Sequence, residues 1–578
     1  MKATTGTVGN GFARKEGSKM NVSCKMVILA AVSFVMTANA ETVFTADFRD
    51  GLPGWSQNVR GVVLSVEAIE GENALVIRRD PKTEKRGTEW SVVGEAFPVK
   101  PGDRLIVDIR ARSSIKDLRF CKGFRGEYIT GLYWYDRKGN RLSVPFGMGY
   151  ELIDGRWRDS VAATVVPDDA VTARLGLGMD SPDMKPNEWI AISSVVVDRR
   201  SPNIAGSAAS LRDDGMVLVD GKPFFPIGIY GVWPCERNGN SIDVAFRDLK
   251  AAGFNMVHRT RPTPEDENEE FLSLADKHGL KVFTMPVGNY RCDFARELVI
   301  DRQMRHPSVL AWYVTDDTSD NGYSPEEVAY RTRVCKAYDP ARLTLQADLM
   351  VPGRGYCRYN QYVYSTDVFL PEIYPVARKE RLGCEVAEVA FEMERARESA
   401  RAAGNPTRSI WPIIQHFRGW GVAVRFPDFD ELRAMSWEGI VHGGNGIIWY
   451  LYHSRSGRGE GVAVDDRHWR EITAVSSEIA SLSGDLLVRN AAERPDVEVV
   501  SGPAKDYFGL KPVSVLLKAG ETPLLATVNS TTNTVKAVVR IKGFRSARLI
   551  GKDAAFDASD GVADTWEPYG VRLYRLSR

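Results

Sequence analysis

Net charge is the first thing this chain lacks. Its 578 residues carry 76 basic and 75 acidic side chains, so no overall field draws it toward nucleic acid or an anionic membrane, and a neutral ligand suits it at least as well. Cysteine is scarce. Of seven, Cys24 lies near the N-terminus, and Cys121, Cys235, Cys292, Cys335, Cys357 and Cys384 follow at wide, irregular intervals. Such spacing lacks the density of a disulfide scaffold and contains no C-x-x-C metal pattern, so no bridge is assigned. Also missing are G-x-G-x-x-G after any expected strand, G-x-x-x-x-G-K-[ST], H-E-x-x-H and G-x-S-x-G. Dinucleotide and phosphate cradles, zinc hydrolysis and serine hydrolysis lose their usual marks. Asp316, Asp317 and Asp320 fit no EF-hand spacing. Neither cofactor nor metal is expected.

Long apolar runs are nearly absent as well. Met26–Met36 is apolar, is preceded by Lys15, Lys19 and Lys25, and is followed by Thr37-Ala-Asn-Ala40. That order reads as a secretory signal with cleavage after Ala40 and predicts a secreted or periplasmic protein. No later run approaches the roughly 20 apolar residues of a membrane-spanning helix.

What is present changes character twice along the chain. Residues 41–200 hold short alternating runs such as Arg104–Arg112, parted by Gly, Pro and Asp, which predicts an antiparallel β-sandwich. Residues 201–214 have linker composition. Over 215–486, apolar runs alternate with amphipathic stretches, the pattern of β-α units around a parallel core. Eight strands are expected: Phe225–Tyr230, Asn255–His258, Lys281–Met285, Val309–Thr315, Leu343–Ala347, Val368–Tyr374, Ile410–Gln415 and Gly446–Tyr450. Thr263-Pro264 and Ser324-Pro-Glu-Glu327 read as helix starts, and Gly279 as a helix stop. Residues 487–578 return to short strands. The predicted fold is a (β/α)8 barrel flanked by a jelly-roll sandwich and a small closing sandwich.

The sharpest motif is His306-Pro-Ser-Val-Leu-Ala-Trp-Tyr-Val-Thr-Asp-Asp317, an apolar run ending in two carboxylates. Polar residues just past a barrel strand's C-terminal end line the active face. This segment resembles strand four of the (β/α)8 glycoside hydrolases of the clan that includes β-galactosidases and cellulases. There the run closes on a Glu that serves as general acid/base, and Asp317 stands in its place. The resemblance implies a second acid at the end of strand seven, where this chain has Gln415. An amide cannot act as a glycosyl nucleophile but can hydrogen-bond a hydroxyl. Asp47–Trp55, Gly155–Asp159 and Ile192–Asp198 resemble the carbohydrate-binding modules appended to such enzymes.

Glycoside hydrolysis needs two carboxyls about the scissile bond. Glu372, in the apolar run Leu370-Pro-Glu-Ile-Tyr-Pro375, is the substitute second acid, since burial would raise its pKa toward that of a general acid or base. Asp317 and Glu372 are therefore the expected catalytic residues, with Asp316, Tyr230, Trp233, His258, Arg259, Tyr374, Gln415 and Trp449 expected to bind substrate, and Tyr450 and His453 beside them. The non-adjacent strands suggest a gap of roughly 6.5 to 9.5 Å, the spacing of inverting enzymes. The expected partner is a carbohydrate. Two other readings stay open: a non-catalytic glycan-binding protein on a retired hydrolase barrel, and a lyase using His258, Tyr374 and Arg259 on uronate polymers.

Overall fold

A computed structural model describes residues 40–57, 61–82, 92–114, 118–119, 130–142, 147–148, 151–152, 155–178, 185–200, 207–259, 265–285, 300, 303–350, 359–376, 385–419, 423, 425–453 and 459–578. The expected signal up to Asn39, residues 201–206 of the linker, the Thr263-Pro264 helix start and Cys121, Cys292, Cys357 and Cys384 lie outside the described residues.

The first unit is a sandwich of two antiparallel sheets. One holds Ala40–Ala46, Val62–Ile69, Glu72–Arg79, Arg104–Ser113, Arg158–Val165 and Trp189–Arg200, and the other Ser56–Gln57, Val92–Pro98, Thr130–Tyr135, Gly147–Met148 and Thr172–Leu177. Alternate residues of each strand, among them Leu75, Ile77, Val107, Leu132, Leu175 and Ile192, meet in one apolar layer, as period-two patterning requires. Trp134 belongs to that core, while Tyr133 on the other face lies beneath the Arg141 guanidinium at 4.0 Å.

Eight parallel staves close into a barrel. They are β1 (Ile227–Ile229), β2 (Met256–Arg259), β3 (Lys281–Thr284), β4 (Val309–Thr315), β5 (Leu343–Leu349), β6 (Val368–Ile373), β7 in two pieces (Ser409–Ile410 and Ile413–Gln415) and β8 (Ile447–Tyr450). Each pairs with the next, and β8 returns to β1 through Ile227 opposite Ile447. Both faces of every stave are buried, which is why the runs read as continuously apolar. Met256, Phe283, Tyr313, Leu345, Leu370, Ile413 and Ile448 fill the lumen. Val257, Val282, Trp312, Phe369, Ile414 and Trp449 face the surrounding helices.

The helices include α1 (Ile242–Ala251), α2 (Glu265–His278), α3 (Pro325–Tyr338), α4 (Glu385–Ala402), α5 (Phe429–Val441) and α6 (Asp466–Ser481). Ser324 caps α3 by accepting from the Glu327 amide, while the Glu327 carboxylate pairs with Arg331 rather than turning back on the cap. Gly279 ends α2 with φ +61°, the left-handed conformation that glycine adopts freely.

The stretch read as linker ends in a strand. Ala209–Leu211 joins Val217–Val219 and Lys222–Phe224 in a three-stranded sheet whose Ala209 and Val217 close the lumen from the N-terminal side of the staves. The chain finishes in two antiparallel sheets of three and five strands between Asp496 and Ser577. Leu516, Leu524, Ala526 and Leu573 of the larger sheet share one apolar cluster with Leu432, Met435 and Trp437 of α5.

A carboxyl cluster at the mouth of the barrel

The end of β4 turns sharply. Asp317 takes φ +44°, a left-handed conformation that asparagine and aspartate tolerate better than most residues. Two ties hold the turn against β5. Thr318 Oγ1 donates to the Ala347 carbonyl at 2.7 Å, and the Ser319 amide and hydroxyl both donate to Asp348 Oδ1, at 3.0 and 2.7 Å. Asn321 donates its backbone amide to the Asp317 carbonyl and its side-chain amide to the Asp316 carbonyl, each at 2.8 Å.

Asp316 and Asp317 then diverge in role. Asp316 Oδ1 accepts from the hydroxyls of Tyr313, at 2.5 Å, and Tyr230, at 3.2 Å, so it is anchored to the lumen wall. Asp317 is mostly buried, and burial first, then the charges of Asp316, Asp320 and Asp348, push its pKa up to about 7. Glu372 on β6 is 7% exposed. Burial, followed by the Asp317 and Asp316 charges, drives it well above the usual carboxylate range. The charge of Asp317 thus disfavours ionisation of Glu372.

The same reasoning that singles out Asp317 applies to Asp348, which sequence analysis passed over. It sits near the C-terminal end of β5, between the staves carrying Asp317 and Glu372. Burial raises it to about 6 against the opposing pull of the Ser319 hydrogen bonds. The missed signal was legible: Leu343-Thr-Leu-Gln-Ala-Asp348 also runs from apolar residues into a carboxylate.

Aromatic rings surround the acids. Tyr230 lies 3.9 Å from His258 and 5.3 Å from Tyr450, and Tyr374 lies 5.6 Å from Tyr450 and 5.2 Å from Phe417, measured between centroids. Burial and the Glu372 charge raise the pKa of Tyr374 and Tyr450 far above the ordinary range, so their hydroxyls stay protonated as donors.

Among the other expected substrate-binding residues, Tyr230, Asp316 and Tyr374 join Asp317 and Glu372 in this cluster. His258 lies deeper, fully buried and stacked on Phe283 with 4.4 Å between centroids; burial pushes its pKa well down, and neither ring nitrogen has a hydrogen-bond partner among the described residues. Arg259 leaves the lumen, its guanidinium 5.5 Å from the Trp233 ring and 5.1 Å from the Phe271 ring of α2. Trp233 is half-buried, with His453 6.3 Å away.

Two expectations need correction. Trp449 is fully buried and faces the helix layer, where its Nε1 donates to Ser436 Oγ of α5 at 3.0 Å, so no face is open to a sugar. Adjacent stave residues point to opposite sides, and its neighbour Tyr450 takes the lumen position. Gln415 is fully buried: its Oε1 accepts from the Val376 amide at 2.9 Å, and its Nε2 donates to the Val376 carbonyl at 3.1 Å. It braces the loop after β6 and has no free amide group for a ligand.

Comparison with known proteins returns no matching family model and no curated protein. Among solved structures the chain is similar to a glycoside hydrolase of family 5 from Bacteroides vulgatus, at 13% identity over 64% of this chain and 93% of that one, with a TM-score of 0.44. It is also similar to an α-L-arabinofuranosidase from Thermotoga maritima, at 10% identity over 61% and 96%, with a TM-score of 0.41. A β-glucuronidase from Bacteroides uniformis aligns at 12% identity over 90% of this chain and 60% of that one, with a TM-score of 0.32.

Proposed function

We propose that this protein hydrolyses O-glycosidic bonds of a poly- or oligosaccharide, with Glu372 as general acid and Asp317 as general base. The observation that carries the reading is the placement of these two carboxyls, at the end of β4 and on β6, in one buried barrel mouth where the Asp317 charge reaches Glu372. Glu372, the more deeply buried, keeps its proton and delivers it to the leaving oxygen. Asp317, ionised above about pH 7, takes a proton from the water that attacks the anomeric carbon. The sugar oxygen leaves as a hydroxyl, and the proton gained by Asp317 returns through solvent to Glu372. Protonated tyrosines and aromatic ring faces around the pair suit a polyhydroxylated ligand, whose C–H faces stack and whose hydroxyls accept.

Because β5 separates the two bearing staves, the proposal includes inversion. Incubation with a panel of neutral polysaccharides should release reducing ends, with turnover lowered about 1,000-fold in Asp317→Asn and in Glu372→Gln. Activity should rise as pH passes about 7 and fall again when Glu372 ionises. Product NMR showing a retained anomeric configuration removes the inverting mechanism, and unchanged turnover in both variants removes the proposal.

Export to the periplasm or medium belongs to the same reading, resting on the basic, apolar and small-residue order before Glu41. An N-terminal sequence of the mature protein beginning at Glu41 would support it.

A second reading has its own support. Gln415, standing where the resembled hydrolases carry an acid, is committed to the Val376 backbone and the Phe417 carbonyl. A glycan-binding protein without turnover would show saturable binding to the same panel and no new reducing ends.

A further inference from the structure

At the rim of the same barrel end, away from the carboxyl pair, one ring nitrogen of His416, one of His468 and a carboxylate oxygen of Glu471 all lie within 4.8 Å of one another. His416 follows β7 directly, whereas His468 and Glu471 sit three residues apart on the first turns of α6, a spacing that puts both on one helix face. We propose that these three side chains bind a divalent transition-metal ion of the zinc class.

Four observations support it. His416 is fully buried; its Nε2 is 3.3 Å from the His468 carbonyl oxygen and its Nδ1 has no partner among the described residues. A neutral imidazole that donates one N–H to a backbone carbonyl presents its other nitrogen as a lone pair, the arrangement common to metal-binding histidines. The second histidine is held in place before any ion arrives. Phe426 stacks on its ring with centroids 3.7 Å apart, and Asp465 accepts from its backbone amide at 2.9 Å. His468 Nδ1 is 3.0 Å from Glu471 Oε2, and two ligands of a tetrahedral zinc ion stand about 3.3 Å apart. Finally, Arg467 Nε donates to the other Glu471 oxygen at 2.8 Å, the outer-shell contact that orients a carboxylate ligand.

Two imidazoles and a carboxylate suit zinc better than calcium or magnesium, which favour oxygen donors throughout. The ion would tie the start of α6 to the end of β7, the stave whose Gln415 holds the loop beyond Glu372. No local motif announces this site, because His416 and His468 are 52 positions apart.

The test uses the full chain, freed of metal with a chelator and titrated calorimetrically with zinc chloride and, separately, magnesium chloride. One equivalent of zinc should bind per chain and raise the melting temperature, and magnesium should do neither. Glu471 lies at the edge of the site, so Glu471→Gln leaves the fold intact. It should weaken zinc binding by at least about 100-fold, since outer-shell changes alone cost about 10- to 100-fold. His468→Asn should do the same, and cobalt in place of zinc should give visible absorption bands lost in both variants. Absence of a zinc equivalent in the parent protein, or equal affinity in parent and Glu471→Gln, overturns the proposal.

Discussion

Two groups of buried acids in this molecule solve the problem of charge in opposite ways. At the barrel mouth, Asp317, Asp348 and Glu372 are all displaced upward, burial being the largest cause in each case, and the other carboxyls add to it at Asp317 and Glu372. Between α5 and the C-terminal sandwich, Glu394 and Glu438 instead flank His442. Its Nδ1 is 2.8 Å from Glu394 Oε1, and its Nε2 is 3.2 Å from Glu438 Oε2 and 2.8 Å from Ser514 Oγ. Burial alone would lower the His442 pKa, yet its two carboxylate neighbours raise it to about 9. The hydrogen bond from His442 in turn holds Glu394 below the usual range, while at the fully buried Glu438 burial outweighs the pull of His442 and leaves the pKa raised.

The difference separates structure from chemistry. A charge that serves packing is matched by its opposite, whereas acids kept from ionising by burial, with neighbouring carboxyls adding to it, stay ready to give and take protons. The mouth is therefore the part of the protein where stability is given up, and the α5 interface a part where paired charge preserves it.

The largest effect expected from breaking this contrast is at the interface. His442→Ala leaves Glu438 buried beside no cation and should cost about 3 to 5 kcal/mol, measured by urea denaturation near pH 6. Glu372→Gln, which removes a strained acid from the mouth, should leave stability at pH 8 unchanged or higher. An equal loss in the two variants would erase the distinction.

A comparable effect concerns pH. Asp317 is raised from an ordinary 3.8 to about 7, so the native state holds a proton that the unfolded chain releases. Stability should fall by about 4 kcal/mol as pH rises from about 4 to 7. His442 is raised from 6.5 to about 9, and its contribution, intact below 6.5, should be lost between about pH 6.5 and 9. Melting curves across pH should show the lower step vanish in Asp317→Asn and the upper one in His442→Gln.

The smallest effect tests the corrected residue. Trp449→Phe removes one buried hydrogen bond to Ser436 and should cost about 1 kcal/mol without altering the affinity for glycan. Tyr450→Ala should weaken glycan binding, as titration with the best ligand of the panel would reveal.

Much of this was legible from residue order. Val309–Thr315 and Val368–Ile373 announce themselves as buried staves by apolar content, and Ser324 and Gly279 mark the helix ends where the structure has them. The face of each residue was not legible. A stave buried on both sides carries no alternation to show which side is lumen, so Trp449 and Tyr450 looked alike, and Arg259 looked as central as His258. Asp348 was overlooked although the expected strand, ended at Ala347 two residues short of the observed one, already left it just past the strand end.

Order along the chain was enough to determine the three-part architecture, the eight-stave barrel and the carboxylates at the ends of β4 and β6, because periodicity and turn chemistry are local properties of neighbouring residues. Only tertiary structure decided that Asp317 and Glu372 share one electrostatic environment, that Gln415 is spent on the backbone of Val376 and Phe417, and that His416 meets His468 and Glu471. Those outcomes depend on how staves register and how helices seat against them, which joins residues far apart in the chain through a low-dielectric interior where charge acts strongly.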